Sequence, residues 1–321
     1  MKTVVFVLGY RSLPFLIKGN LDLIVSATKM LDNAKIVFLD NYSRDGAVRY
    51  VKEKYPDIDV LVSPRNYLYC KAINTGIQYI FKKYKPDNYI LVDSDNPCHI
   101  NAYAELIKFS EQFPNIGIIQ PIVKKMSDNQ KLYSCGHYID DDFNCRTLKK
   151  IPANPLDLHN LISCSISSTL IKADVFYTCG LLDPIFEIYW ESIDLSFRAR
   201  KKGFFCACNE KAITYNEGGK LEDIDSYHER YYRHRNKLIF WRKHDIETYN
   251  KVKADILLTY NELNNRYNQS DYGLSMQEES IRKGVEDGIK IAEDYFVEKT
   301  VTICDYNKSD VINSFVFPQI R

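Results

Sequence analysis

Five short runs of β-branched and apolar residues recur along the first part of the chain: residues 3–9 (TVVFVLG), 35–40 (KIVFLD), 58–63 (IDVLVS), 88–93 (NYILVD) and 116–123 (IGIIQPIV). Each is apolar along nearly its whole length, the pattern of a strand covered on both faces. Between them, residues 13–31, 43–55, 69–84 and 101–113 carry helical spacing. In the third of these, Ala72, Ile73, Ile77, Ile80 and Phe81 form one apolar helical face. Strand and helix in strict alternation predict an α/β fold: a doubly wound, mostly parallel sheet with right-handed crossovers. At 321 residues and 45% hydrophobic, the chain suffices for one large or two small domains with an ample core.

From about residue 122 the alternation breaks. Residues 131–144 read as a hairpin or loop insertion, and 162–172 (ISCSISSTLIK) as a strand of small residues. Residues 190–203 read as a helix stopped by Gly203, and 212–216 as a further strand. After Leu221 the pattern is mainly helical to about Val297, followed by a short tail containing TVTIC. The expected division is 1–220 for the α/β unit and 221–321 for a helical extension packed on it.

Net charge is +1, so no global field points to nucleic acid or anionic lipid. No apolar run approaches the roughly 18–20 residues that span a bilayer. The opening MKTVVFVLG reads as a first strand rather than a secretory leader. Nine scattered cysteines suit the reduced thiols of a cytoplasmic protein, and the lone C-x-C at Cys206 and Cys208 is a weak zinc signal. Neither G-x-G-x-x-G nor G-x-x-x-x-G-K-[ST] follows the first strand. That argues against a dinucleotide-dependent dehydrogenase, a P-loop NTPase and a glycine-loop pyrophosphorylase.

The chemistry gathers where strands end. Asp40 closes the second run, and Asp93 and Asp95 close the fourth, in YILVDSDN. In an open α/β sheet, ligands sit beyond the carboxyl ends of the strands. Carboxylates two residues apart on an extended segment share a side, and they repel unless a cation lies between them. Helix capping is the competing reading for Asp95. Hard oxygen donors suit Mg²⁺ or Mn²⁺, which completes its shell with phosphate and water and neutralises charge on a diphosphate leaving group.

Taken together, VVFVLGYR, IVFLDNYSRDGAVRYV, SPRNYLYCKAINTGI, ILVDSDN, IFEIYWESIDLSFRARKKGF, YYRHRNKLIFWRK and IRKGVEDGI follow one another in the order and spacing of a known family. Over about residues 3–295 the chain resembles a family 2 glycosyltransferase of the GT-A fold, rhamnosyltransferase-like in type. Leu68 stands where that family often has glycine.

The resemblance implies the following roles. Asp40 bonds the nucleobase, Asp93 meets the ribose, and Asp95 with Asp93 holds the metal. Tyr10 and Arg11 lie in the nucleotide-contacting turn, and Arg65 and Lys71 contact base or diphosphate. Asn74 and Gly76 shape the helix beside the nucleotide. Arg235 with Asn236 either reaches the diphosphate or orders the C-terminal helix. Asn216 stands where a histidine often completes the metal site, with His228 as an alternative ligand. Glu191-Ser192 replaces the Glu-Asp pair whose second member usually supplies the base. Glu191 becomes the expected base, kept ionised by the helix N-terminus. Asp194 shares its face and is the second catalytic candidate, while Arg198 four residues on suits a structural ion pair.

The implied activity is metal-dependent inverting transfer of a hexosyl or deoxyhexosyl group. The donor is a UDP-, dTDP- or GDP-sugar, and the acceptor a glycan or lipid-linked molecule. Acceptor choice is expected in residues 122–165 and the C-terminal helices. The departures at Ser192 and Asn216 leave open a relocated base, an unusual metal geometry, or an inactive nucleotide-sugar-binding partner subunit. Residues 227–244 mix cations with aromatics, which suits a peripheral membrane contact or an anionic acceptor. The competing arrangement puts the aromatics in the core and the charges in solvent.

Overall fold

The computed structural model describes residues 1–216, 223–269 and 274–294. The first strand, β1 (Thr3–Gly9), is buried throughout. Its Val4, Phe6 and Leu8 face one layer of helices and Val5 and Val7 the other, which is why it reads as an unbroken apolar run. Next come α1 (Leu13–Ile17) and α2 (Asn20–Lys29), where one helix was expected; Gly19 at φ +94° separates them. The alternating part continues with β2 (Ala34–Asp40), α3 (Ala47–Lys54), β3 (Asp59–Val62), α4 (Leu68–Tyr84), β4 (Asn88–Asp93), α5 (Ala102–Gln112) and β5 (Ile116–Lys125). Beyond it lie β6 (Asp128–Ser134), β7 (His137–Ile139), β8 (Cys145–Thr147), β9 (Thr169–Lys172), α6 (Ala173–Cys179), α7 (Glu191–Lys201), β10 (Phe205–Asn216), α8 (Asp223–His244), α9 (Ile246–Gln269) and α10 (Met276–Asp294).

Eight strands form one sheet in the order β10-β5-β9-β4-β1-β2-β3, with β6 paired to β5. All neighbours are parallel except β9, antiparallel to β4 and β5, and β6, antiparallel to β5. The doubly wound, mostly parallel α/β architecture expected from the alternation is present. The strand expected over 162–172 is confined to Thr169–Lys172. Upstream, Thr169 Oγ1 donates to Ser165 O and Ser165 Oγ accepts from Ser167 N, so hydroxyls satisfy the backbone locally in place of a ladder.

Two close approaches set the layers. A Cβ at Gly76 would stand 1.9 Å from Phe6 Cζ, so glycine lets α4 lie on β1. A Cβ at Gly284 would meet Tyr231 O at 2.5 Å, and one at Gly288 the Arg235 backbone at 2.9 Å, so α10 lies directly on α8. From α8, Leu238, Ile239, Phe240 and Trp241 join the buried cluster that contains the apolar side of α4 and α7.

Phe240 and Trp241 of α8 thus pack inward, and Trp241 Nε1 donates to Phe143 O at 3.0 Å. Phe240 and Trp241 form no lipid-facing surface. Several cations are interior clamps rather than solvated charges. Lys237 Nζ donates to Asp142 O and Asn144 Oδ1, both at 2.8 Å, and Lys243 pairs with Asp183 and Asp194. No helix among the described residues is long and apolar enough to cross a membrane. The described cysteines are free thiols, Cys206 and Cys208 buried on β10. The TVTIC tail lies outside the described residues.

Candidate active site

The register pairs Gly9 with Asp40 on one side of β1 and Leu8 with Asp93 on the other. Two strand spacings put the two aspartates roughly 10 Å apart across the rim. A Cβ at Gly9 would meet Phe38 Cζ at 2.7 Å and Ser12 Oγ at 2.8 Å, so the turn after β1 requires glycine. The loops after β1, β2 and β3 are tied together. Arg11 N donates to Ser43 Oγ and Ser43 N to Asp40 Oδ2, both at 2.9 Å. Asn41 Nδ2 donates to Asn66 Oδ1 and Leu68 O, and its Oδ1 accepts from Tyr67 N. Arg11, Tyr42, Arg44 and Leu68 all take left-handed φ, 50° to 71°. Leu68 therefore accepts, at φ +57°, a conformation that costs a side chain about 1–2 kcal/mol over glycine. Asp40 is buried, its pKa is pushed up by that burial, and its Oδ1 has no partner.

Asp93 sits at the end of β4, and a turn closed by Asn96 N to Asp93 O at 2.9 Å follows it. Burial first, then the charge of Asp95, pushes the Asp93 carboxyl up to about 7; the hydroxyls of Ser167 and Tyr69 donate to it and oppose the shift. Asp95 caps no helix, since α5 begins at Ala102 with Asn101 before it. The end of β10 runs beside this turn. Tyr215 N donates to Pro97 O at 2.8 Å and Asn216 Nδ2 to Asn96 Oδ1 at 3.0 Å. Asp93, Asp95 and Asn216 are thereby brought together, while His228 is exposed on α8. No group of three or more His, Cys, Asp or Glu able to hold a metal occurs among the described residues. Two adjoining carboxylates, one of them raised to about 7, still fit a divalent cation that draws its remaining ligands from an amide and from phosphate oxygens.

Glu191 opens α7. It is buried, its Oε2 has no partner, and its pKa is raised to about 7. Burial is the largest cause; Asp93 and Asp194 add to it, while Glu191's own backbone N–H and Arg233 oppose it. The expectation that the helix N-terminus keeps this carboxylate ionised is corrected: desolvation outweighs the dipole.

The approach to Glu191 is strained. Glu187 has φ +58° and ψ −59° with Ile188 N donating to Phe186 O at 2.6 Å, and Tyr189 and Trp190 follow at φ +65° and +70°. Such a segment persists because its surroundings over-determine it. Asn236 Nδ2 donates to the carbonyls of Phe186, Ile188 and Tyr189 at 2.7–2.9 Å, and Arg235 Nη1 to Ile185 O at 2.9 Å. The backbone N–H groups of Tyr69 and Cys70 donate to Glu187 O, and Asn74 exchanges two hydrogen bonds with the Leu182 backbone. Neither use expected of Arg235 and Asn236 describes these bonds: from α8 they order the loop that leads into α7.

Asp194 faces the other way. It is fully buried and accepts at 2.8 Å from each of Arg198 Nε, Lys243 Nζ and His244 Nε2. Those neighbours, Arg198 foremost, outweigh desolvation and hold its carboxyl well below the usual carboxylate range. Glu191 and Asp194 share a helix but not a cleft. Of the expected nucleotide contacts, Arg11 and Arg65 are exposed over the rings of Tyr10 and Tyr67, at 5.3 and 5.2 Å, and Lys71 lies in the first turns of α4. Tyr69, Asn96 and Ser167 were not singled out from sequence, and Arg233 was read only as one of the cations of the 227–244 segment. For Ser167 a signal existed, the run SCSISS, whose hydroxyl density suits a polar site better than a strand.

Residues 17–176 match the family model described as glycosyl transferase family 2. No curated protein matches the sequence. Among solved structures, one of GalNAc-T7 with UDP, GalNAc and Mn²⁺ is similar at TM-score 0.59 and 14% identity over 92% of this chain; the match spans 56% of that protein's length. The mannosyltransferase PcManGT from Pyrobaculum calidifontis, in complex with GDP-Man and Mn²⁺, gives TM-score 0.56 and 12% identity over 91% of this chain and 87% of its own. S. aureus TarS 1-349 with UDP-GlcNAc gives TM-score 0.51 and 16% identity over 91% and 81%. At these identities the likeness is one of fold.

Proposed function

We propose that the protein is a metal-dependent, inverting glycosyltransferase that uses a nucleotide-sugar donor; the match of residues 17–176 to the glycosyl transferase family 2 model supports the reading. The observation that carries this reading is the pairing of Asp93, beside Asp95, with Glu191. Both carboxyls are raised to about 7, and Tyr69 feels the charge of each. One end of the cleft thus asks for a cation, and the other holds a group poised to exchange a proton near neutral pH. Similarity to folds solved with UDP, GDP-Man or UDP-GlcNAc, two of them with Mn²⁺, supports the donor class and the metal.

In this reading Asp40 Oδ1 accepts from the nucleobase, and Asp93 lies nearest the ribose. Asp95 and Asp93 hold Mn²⁺ or Mg²⁺ with Asn216 alongside. Bound there, the ion supplies charge neutralisation at the departing diphosphate. Glu191 takes the proton of the acceptor hydroxyl, whose oxygen bonds to the anomeric carbon as the bond to the diphosphate breaks in line on the opposite face. The strapped loop 183–190 fixes where that carboxylate points. The donor is a hexose or, on the rhamnosyltransferase-like reading, a deoxyhexose, and the acceptor a glycan or lipid-linked molecule.

Turnover of a panel of UDP-, dTDP- and GDP-sugars with and without Mn²⁺ tests this. Metal-stimulated release of one nucleoside diphosphate with β-to-α or α-to-β inversion is expected. Tight nucleoside diphosphate binding without release from any donor would favour the inactive binding subunit instead.

A further inference from the structure

Next to Asn96 in the turn after β4, a cleft of about 190 Å³ opens between β6 and β7, the serine run before β9, the end of β10 and α8. We propose that this cleft takes the acceptor through an oxyanion, a phosphate or carboxylate carried on a sugar or polyol, with Arg233 reading its charge. The inference rests on the glycosyltransferase reading and adds the acceptor's chemical class.

Three observations carry it. First, the lining asks for a polar guest: Ser168 Oγ, Thr214 Oγ1 and His137 Nδ1 border the cleft, are buried, and have no partner among the described residues. Leaving such groups unmet is unfavourable, and a ligand's hydroxyls would offset that cost. Tyr133, 38% exposed on the same wall, offers a ring face to sugar C–H groups. Second, no aspartate or glutamate lines the cleft, although it adjoins the acidic rim, and Arg233 is its one full cation. Third, Arg233 is held in place. Its Nε bonds Glu229 at 2.7 Å and its guanidinium lies 5.0 Å from the ring centre of Tyr189. Its Nη1 and Nη2 have no partner among the described residues, which is the fork that receives phosphate or carboxylate in two parallel bonds. The walls come from residues 133–147 and α8, the regions expected to choose the acceptor, and Arg233 lies outside the matched family segment.

Calorimetric titration of the full chain decides, with the nucleoside diphosphate that binds best plus Mn²⁺ present, and again without nucleotide. The probes are glucose 1-phosphate, methyl glucuronoside and the neutral methyl glucoside. At least one oxyanion probe should bind more tightly than methyl glucoside. Arg233→Ala should weaken it tenfold or more, with partial recovery in Arg233→Lys and nucleotide affinity unchanged. The tighter of the two oxyanion probes assigns phosphate or carboxylate. Because the Arg233 side chain is 51% exposed, the variant should melt with the parent. Equal binding of all three probes would overturn the proposal. So would a loss in Arg233→Ala as large for the nucleotide as for the probe, because Arg233 would then serve the donor's diphosphate. Failure of every nucleoside diphosphate to bind would overturn the parent reading, whatever the probes do.

Discussion

Replacing Asp194 by asparagine removes one negative charge from a buried site holding Arg198, Lys243 and His244, each at 2.8 Å. Breaking a buried ion pair by removing one partner typically costs about 3–5 kcal/mol. The lower end applies here, because the cations keep other acceptors. Arg198 still donates to the carbonyls of Cys179 and Leu181, and Lys243 still pairs with Asp183. At about 2 °C per kcal/mol for a chain of this size, Tm should fall by roughly 6 °C. The pH dependence carries a sign. The Asp194 carboxyl is held well below its unfolded value, so its contribution is fully present above the ordinary carboxylate range and is lost as pH falls beneath it. The gap between parent and Asp194→Asn should be flat from pH 5 to 8 and should narrow below about pH 4. Thermal unfolding followed by circular dichroism at stepped pH measures it, with nucleotide affinity as the control. An unchanged Tm, or a turnover loss in a variant that melts like the parent, would refute the structural role.

Glu191→Gln should lower turnover by about 10²–10⁴-fold with nucleotide affinity retained. It should also abolish a rise in rate with pH centred near 7, as read from a pH–rate profile. Because the folded Glu191 carboxyl is raised, stability falls as pH rises from its ordinary value through about 7, so Glu191→Gln should melt higher than the parent above pH 7. Asn236→Ala removes three donations to the strained loop. It should cut kcat while leaving nucleotide Kd within about twofold, a split that kinetics and calorimetry separate. Gly76→Ala pushes a methyl group into Phe6 and should destabilise by about 1–3 kcal/mol or more in denaturant unfolding.

The strands β1 to β5 were readable nearly to the residue, because strands covered on both faces are continuous apolar runs and Asp40 and Asp93 mark where cover ends. The stretch 162–168 was not readable: serine and cysteine fit a strand by size, and only the hydroxyl bonds around Ser165 show that they fold back. The i, i+4 spacing of Asp194 and Arg198 showed their pair, but Lys243 and His244 arrive from a helix some fifty residues later. Glu191 was legible as a carboxylate at a helix start. Its acidity was not, because that depends on burial beneath side chains remote in sequence. The strain at 187–190 left no mark at all, since none of those residues is glycine.

In the proposed mechanism the turn after β4 binds a nucleoside diphosphate through a divalent cation. Calorimetric titration of UDP, dTDP and GDP with and without Mn²⁺, into the parent and Asp95→Ala, tests it most directly. One nucleotide should bind the parent more tightly with Mn²⁺, and Asp95→Ala should lose that metal-dependent gain while melting at the parent's temperature. A metal-dependent gain of equal size in Asp95→Ala would rule out this metal site.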